Sequence, residues 1–175
     1  ASTHEGEDAI WLKLWPEVLN QVPDALLMLV PRHPERFKSV ALLIKQKEFI
    51  LARRSQSDSV SAKTQVFLGD SLGEMMGFYA ACDVTFIGGS LVENGGHNPL
   101  EAAALNKAIM IGPSYFNFQD IVTQLVDGNG IEILAENNLV TKSVEFLLDE
   151  EKRREKGIAA NTVVQNNLGS LQRLY

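Results

Sequence analysis

The chain has 175 residues, a length that suits one domain with a substantial hydrophobic core. Hydrophobic residues make up 45% and charged residues 22%, ordinary values for a soluble globular protein. The formal net charge is −6 and the pI about 5.1. That balance argues against sequence-independent nucleic-acid binding, which needs Lys and Arg to neutralise phosphates. An anionic ligand must therefore be held locally, by a few basic groups and backbone N–H donors. The single cysteine, Cys82, excludes an intrachain disulfide and suits a reducing, cytoplasmic compartment. The longest apolar run, residues 25–31, has the length of a strand and falls far short of the roughly 20 residues of a membrane span. No direct membrane span and no signal peptide are expected. The chain lacks an initiator Met and opens in the loop-like Ser2-Thr3-His4-Glu5-Gly6-Glu7, as expected of a piece of a longer protein.

Short apolar runs alternate with amphipathic segments. Residues 7–20 carry an apolar stripe at Ile10, Leu14 and Val18 and predict a helix, in which Pro16 predicts a kink or a late start. Residues 25–30 form the first continuous apolar run. A helix over 34–47 begins with proline, which suits a first turn. Apolar runs at 49–52 and 65–68 follow, separated by the polar loop 55–61. A helix is predicted over 71–82, with Ser71 as N-cap and Glu74 completing a capping box. Apolar runs at 84–87, 108–111 and 131–134 alternate with helices over 98–106, 118–126, 139–148 and 150–174. Apolar runs without polar alternation suit strands buried on both faces. Strands alternating with helices predict an α/β fold with a doubly wound parallel sheet, Rossmann-like. One domain over residues 1–175 is expected.

In an open α/β sheet, ligands bind beyond the carboxyl ends of the strands. Three strand exits are unusual. In Val30-Pro31-Arg32-His33-Pro34, two prolines fix the backbone around an Arg, whose planar fork of donors matches phosphate or carboxylate. A solvated turn explains the same residues about as well. In Gly69-Asp70-Ser71-Leu72-Gly73-Glu74, a strand gives way to a helix around a glycine. Free N–H groups at such a helix start attract anions, and Gly73 allows close approach of a ligand. An ordinary capped helix is the plainer alternative. The third exit is residues 86–101, where two glycine pairs, Gly88-Gly89 and Gly95-Gly96, precede Asn98-Pro99. Asn98 reads as an N-cap followed by proline at the first helical position. Glu101 then closes a capping box or accepts hydrogen bonds from two ribose hydroxyls. Glu93 and Glu101 are a weak pair alone and a stronger one within this text.

No G-x-G-x-x-G, P-loop or D-x-D pattern is present, and His4, His33 and His97 lack metal-ligand spacing. No metal and no cofactor is expected. The clusters Arg53-Arg54 and Lys152-Arg153-Arg154-Lys156 read as solvated surface, and the scattered aspartates, Asp70 among them, as turns and caps.

Taken together, these segments resemble the C-terminal domain of the 3-deoxy-D-manno-octulosonic acid (Kdo) transferases, GT-B glycosyltransferases. The resemblance rests on Ala1 to Glu7, on residues 30–37, on Leu72-Gly73-Glu74-Met75, and above all on residues 86–101 with Gly112-Pro113 and Phe116-Asn117-Phe118. It implies the C-terminal half of a two-domain enzyme, with the N-terminal acceptor domain absent from this chain. Such an enzyme transfers Kdo from CMP-Kdo to a lipid A precursor in lipopolysaccharide biosynthesis, without a metal, at the cytoplasmic face of the bacterial inner membrane. Its partners would be CMP-Kdo, its own N-terminal domain and, through that domain, the lipid A precursor. The catalytic base would lie in the missing domain, which leaves this chain inactive by itself. Carried over by motif, the nucleotide-binding residues would be Pro31, Arg32, Leu72, Gly73, Glu74, Asn98, Pro99, Leu100 and Glu101, with Glu101 on the ribose. Glu93 and His97 would line the donor pocket. Members of that family carry a strand just before the opening Ala-Ser-Thr-His, at the centre of the sheet, so an unpaired slot is expected there. The alternatives are another GT-B transferase or a UDP-sugar epimerase, and, from a different class, a non-catalytic α/β interaction module.

Overall fold

A computed structural model describes residues 1–172, with side chains described through residue 167. The chain order is α1 (Glu7–Gln21), β1 (Leu27–Leu29), α2 (Phe37–Gln46), β2 (Leu51–Arg53), β3 (Val66–Leu68), α3 (Met75–Ala81), β4 (Val84–Ile87), α4 (Leu100–Ala104), β5 (Ala108–Ile111), α5 (Gln119–Asp127), β6 (Ile131–Ile133), α6 (Leu139–Leu148) and α7 (Glu150–Gln172). All strand pairings are parallel. β3 lies between β1 and β2 in one half of the sheet, and β5 lies between β4 and β6 in the other.

The apolar runs are buried on both faces, as their lack of alternation predicts. In β5, Ala108 and Met110 join a core built with α1, α2 and α6, while Ile109 and Ile111 join a second core built with α3, α4, α5 and α7. Helices thus cover both faces of a parallel sheet, which is the doubly wound architecture. Trp11 and Trp15 anchor the first core, and the Trp15 indole N–H donates to the Gln65 carbonyl at 3.1 Å. α7 lies against α4 and β5. Its Asn161 amide donates to the Ala103 and Ala104 carbonyls at 3.3 and 2.9 Å, so it satisfies the last carbonyls of α4.

Among the described residues, the two half-sheets are hydrogen-bonded to each other only through residues 1–3. The Ala1 amine donates to the Phe86 carbonyl at 2.7 Å, and the Gly88 N–H donates back to the Ala1 carbonyl at 2.8 Å. On the other side, the Thr3 N–H donates to the Val30 carbonyl at 3.1 Å and the Arg32 N–H to the Thr3 carbonyl at 3.0 Å. Residues 1–3 therefore bridge β1 and β4, through one isolated parallel bridge between Thr3 and Pro31 and with Ser2 at φ 56°. A side chain on Gly88 would meet the Ser2 carbonyl oxygen at 2.4 Å, which is why glycine stands there. Below Ala1 the facing edges of β1 and β4 are separated by a cavity of about 450 Å³ lined by Trp11, Leu27, Leu29, Val84, Phe86 and Met110 among others.

Several local expectations differ from the structure. α1 starts at Glu7 and runs through Pro16 as one helix, so the late start does not occur. Packing of Trp11, Leu12, Trp15 and Val18 outweighs the one backbone bond that proline removes. The segment before α3 is not helical from Ser71, because the helix begins only at Met75. Lys156 and Arg153 are not solvated surface. Lys156 is buried and bonded to Glu132 and Asn129, each at 2.6 Å, and Arg153 donates to the Phe146 carbonyl at 2.7 Å. Asp70, read as a turn residue, is buried. It accepts from the Arg53 guanidinium at 2.6 Å and from the Ser55 hydroxyl and N–H at 2.6 and 2.8 Å. Arg53 and the start of the 55–61 loop are thereby fixed. Among the described residues no helix is long and apolar enough to cross a membrane.

A short Val- and Ile-rich segment placed before Ala1 is expected to fill the slot between β1 and β4. Each 100 Å² of apolar surface it buries is worth about 2.5 kcal/mol. For a chain of this size each kcal/mol raises the unfolding midpoint by about 2–4 °C. Differential scanning calorimetry against the same chain preceded by Gly and Ser checks this, and equal midpoints would show that the slot accepts no strand.

Candidate functional site

Residues 1–3 sit between β1 and β4, where the two half-sheets meet, and the chain crosses from β3 to β4 through α3. A crevice outside the carboxyl ends of the strands at such a switch point is where open α/β sheets bind ligands. Two strand exits and the bridging segment meet there: Pro31-Arg32-His33 after β1, Gly88-Gly89 after β4, and His4 after residues 1–3.

Glu7, in the first turn of α1, holds the β4 exit in place. Its side chain is fully buried. One carboxylate oxygen accepts the His4 N–H at 2.8 Å and the Gly89 N–H at 2.7 Å. The other accepts the Ser90 and Leu91 N–H groups, both at 3.0 Å. Four backbone donors thus converge on one buried carboxylate, the compensation a buried charge requires. The loop after β5 supports the same segment. The Ser90 hydroxyl accepts from the Gly112 N–H at 2.7 Å, the Ser114 N–H donates to the Ser90 carbonyl at 3.0 Å, and the Asn117 amide donates to the Asn94 carbonyl at 3.0 Å.

On this base rest two imidazoles. His4 and His97 stack with centroids 5.0 Å apart, and their Nε2 atoms are 2.8 Å apart. The Asn94 amide reaches His4 at 2.9 Å, and the His33 ring stands edge-on to His4 at 5.2 Å. Gly89 lies beneath the pair at φ 71°, where a side chain would touch both rings at 3.2–3.3 Å and strain the backbone as well. Burial lowers the His97 pKa to about 4, helped by the His4 and Arg32 charges and opposed by Glu7. His4 is also lowered, by burial first, with Glu7 opposing and His33, Arg36 and Arg32 adding to the effect.

The remaining expected site residues divide into engaged and free groups. Pro31 is buried and Arg32 is exposed, with no ion pair among the described residues, whereas Arg36 is committed to Asp8 and to the Thr3 carbonyl. Asn98 acts as the predicted cap, since its side-chain oxygen accepts the Leu100 N–H at 3.0 Å, with Pro99 buried at the first turn of α4. Leu100 is half-buried. Glu101 makes no hydrogen bond or ion pair among the described residues, so the capping-box alternative is not realised and its carboxylate stays open to solvent. α3 packs against α4, and the Glu101 charge acts on the buried Tyr79 phenol. Glu93 is exposed on the turn before Asn94 and is likewise without a partner.

At the β3 exit the predicted capping box is absent. The Ser71 hydroxyl donates to the Glu74 carboxylate rather than to the helix backbone, and Arg54 pairs with Glu74 at 2.7 Å in the open. The Arg54 bonds, and then Ser71, hold Glu74 below the usual carboxylate range. Gly73 has φ 77° with open space around it, so it is required by the turn and not by crowding. Leu72 is 72% exposed and forms no pocket wall within this chain. These three residues make no hydrogen bond to the His4–His97 cluster. Glu7, His4 and Asn94 were given no role from sequence, although the first two stand in the opening segment that carries the resemblance. A single Glu near a chain start carries no local signal of its long-range partners.

The sequence model for glycosyl transferases group 1 matches residues 12–162. The chain belongs to that family. This glycosyltransferase domain is 46% identical to the 3-deoxy-D-manno-octulosonic acid transferase of Haemophilus influenzae, over 99% of this chain and 41% of the relative. It is 33% identical to the enzyme of the same name from Bordetella pertussis, over 99% of this chain and 42% of the relative. It thus spans about two fifths of the length of these curated relatives. Among solved structures, the C-terminal CMP-Kdo binding domain of WaaA from Acinetobacter baumannii superposes with a TM-score of 0.89 at 39% identity, covering 94% of this chain and 86% of that one. The C-terminal domain of the group 1 protein LpcC from Francisella tularensis has a TM-score of 0.62 at 16% identity, covering 95% and 80%, which is a likeness of fold. The fold is therefore the C-terminal GT-B domain expected from sequence.

Two predictions concern this arrangement. Glu7→Gln replaces an acceptor oxygen by an amide that faces N–H donors, and each unsatisfied buried group costs about 1–3 kcal/mol. A loss of at least about 2 kcal/mol in urea unfolding is expected, and a near-neutral variant would show that the loop is held by other contacts. The second concerns pH. His97 and His4 have ordinary values near 6.5 when unfolded and lowered values when folded, so the unfolded state binds more protons as pH falls. Stability should then decline from about pH 6.5 towards 4, a window above that in which Glu74 titrates. His97→Gln should flatten that slope, which urea midpoints across the range would measure.

Proposed function

We propose that this chain is the donor-binding domain of a transferase that moves Kdo from CMP-Kdo to a lipid A precursor in lipopolysaccharide biosynthesis. The reading is supported by a cation at the exit of β1 and a carboxylate in the first turn of α4 that stay unengaged. Arg32 and Glu101, like Glu93, have no ion pair among the described residues. Arg32 faces the donor phosphate with its fork of N–H donors. Glu101 accepts from the vicinal ribose hydroxyls. Pro31 fixes the backbone that aims Arg32, and Asn98, Pro99 and Leu100 build the helix start that aims Glu101. Leu72, Gly73 and Glu74 line the nucleotide side, with Glu74 held by Arg54 and Ser71. His97 and Glu93 line the sugar side of the crevice. The names of the relatives, and the CMP-Kdo binding named for the Acinetobacter baumannii domain, support the choice of donor.

The acceptor, the catalytic base and contact with the cytoplasmic face of the inner membrane belong to an N-terminal domain outside this chain. Half of the cleft is then missing, and with it the exclusion of water that a closed cleft provides. The isolated chain is expected to bind CMP and to transfer nothing. Kdo transfer by this chain alone would overturn that division of labour.

Titration calorimetry with CMP, with UMP as control, tests the donor. Saturable binding that is stronger for CMP supports the reading, equal binding points to another nucleotide-sugar domain, and no binding by either removes it. Glu101→Ala is expected to weaken CMP binding by about 1–3 kcal/mol, the scale of hydrogen bonds to a charged group. Its unfolding midpoint should stay close to the parent's, because Glu101 makes no hydrogen bond or ion pair among the described residues.

A further inference from the structure

We infer that the His4–His97 imidazole pair is the subsite that receives the carboxylate of an acidic donor sugar. The inference rests on the donor reading above and adds which groups recognise the acid. An ulosonic acid carries its carboxyl group on the anomeric carbon. In its activated form that carbon bears the phosphate oxygen as well, so the two anions sit side by side. A site for such a donor needs two adjacent anion-binding groups of different kinds. Arg32 supplies one at the exit of β1. The imidazole pair supplies the other at the join between the half-sheets, close enough for the Arg32 charge to act on both rings.

Asn94 Nδ2 lies 2.9 Å from both Nδ1 and Nε2 of His4. The Nε2 atoms of His4 and His97 are 2.8 Å apart, so they share one proton. Nδ1 of His97 has no hydrogen-bond partner among the described residues, and it carries a proton whenever His4 donates to His97. The pair therefore offers one N–H donor, backed by a relay of imidazole and amide. Among the described residues no carboxylate is hydrogen-bonded to either ring. Glu7 is saturated by four backbone N–H groups. Asp8 is taken by Thr3 and Arg36. Glu93, on the turn beside Asn94, points its charge to solvent with no partner.

Apart from Glu7, the groups whose charge acts on the rings are basic. His4 faces Glu7, His33, Arg36 and Arg32, while His97 faces His4, Arg32, Glu7 and the Ala1 amine. In a chain with net charge −6, this crevice is a local concentration of basic groups. The rings do not make a metal site, since among the described residues no group of three or more His, Cys, Asp or Glu could hold one. Burial keeps the unliganded pair neutral, and a bound carboxylate reverses that preference by favouring the imidazolium. Binding of the acid sugar then takes up a proton from solvent. Gly89 beneath the rings and Glu7 beneath the loop keep the geometry fixed, so no rearrangement is needed to present the donor.

The test compares CMP-Kdo with CMP on the 175-residue chain, by calorimetry at pH 6 and pH 7.5. The parent chain should bind CMP-Kdo more tightly than CMP. His97→Gln and, separately, His4→Gln should lower CMP-Kdo affinity about tenfold, the scale of one charge-assisted hydrogen bond. The ratio of CMP-Kdo to CMP affinity in each variant, rather than either affinity alone, carries the test. In the parent chain, the imidazole ring resonances of His4 and His97 should titrate at higher pH with CMP-Kdo than with CMP. That readout needs no variant to fold. If CMP binds but CMP-Kdo gains nothing, or if both variants bind CMP-Kdo like the parent with unmoved ring titrations, the inference is overturned and the nucleotide reading survives. If neither ligand binds, both fail together.

Discussion

Everything at the crevice depends on one buried carboxylate. Glu7 stands at the start of α1, yet it receives the N–H groups of Gly89, Ser90 and Leu91 from a loop more than eighty residues away. A carboxylate in that position makes the fold and the site a single problem. If α1 is misplaced, the charge is buried without partners, and if the loop is misplaced, three N–H groups are buried without acceptors. Either failure is costly because a buried unpaired charge or donor has no water to turn to. The loop that carries Asn94, His97 and Asn98 and leads into α4 with Glu101 is thus positioned from the opposite half of the sheet.

The same constraint explains why the opening residues matter so much. Residues 1–3 are the only hydrogen-bonded bridge between the two half-sheets among the described residues, and Glu7 follows directly after them. The bridge ends where the ligand crevice begins. Below it, the apolar cavity between β1 and β4 leaves the lower part of the join without a ladder. The sheet is therefore most constrained at its carboxyl edge, which is where a switch-point site needs rigidity.

Local errors in reading the sequence share a cause. Pro16 counts against a helix by its own chemistry, and the packing of Trp11 and Trp15 overrides it. Ser71 and Glu74 have the spacing of a capping box, but Arg54 draws Glu74 outwards and the helix starts at Met75. Arg53 and Lys156 look like solvated charges in a linear text, and each finds a carboxylate supplied by another strand or its exit, Asp70 and Glu132. By contrast, Asn98 caps as predicted, because its partner is two residues away.

The sequence by itself determined the six parallel strands, the helices between them, the family, and the strand exits that carry candidate groups. Those features are written in short-range periodicity, in turn chemistry, and in a loop text dense with Gly, Asn and Pro. Only the tertiary structure decided that Arg32 and Glu101 remain free while Arg36, Arg53 and Glu74 are engaged. It alone brought His4 onto His97 and Glu7 under the loop. Hydrogen bonds and ion pairs between residues distant in sequence are set by how the half-sheets meet, and that meeting leaves no mark in the spacing of neighbouring residues.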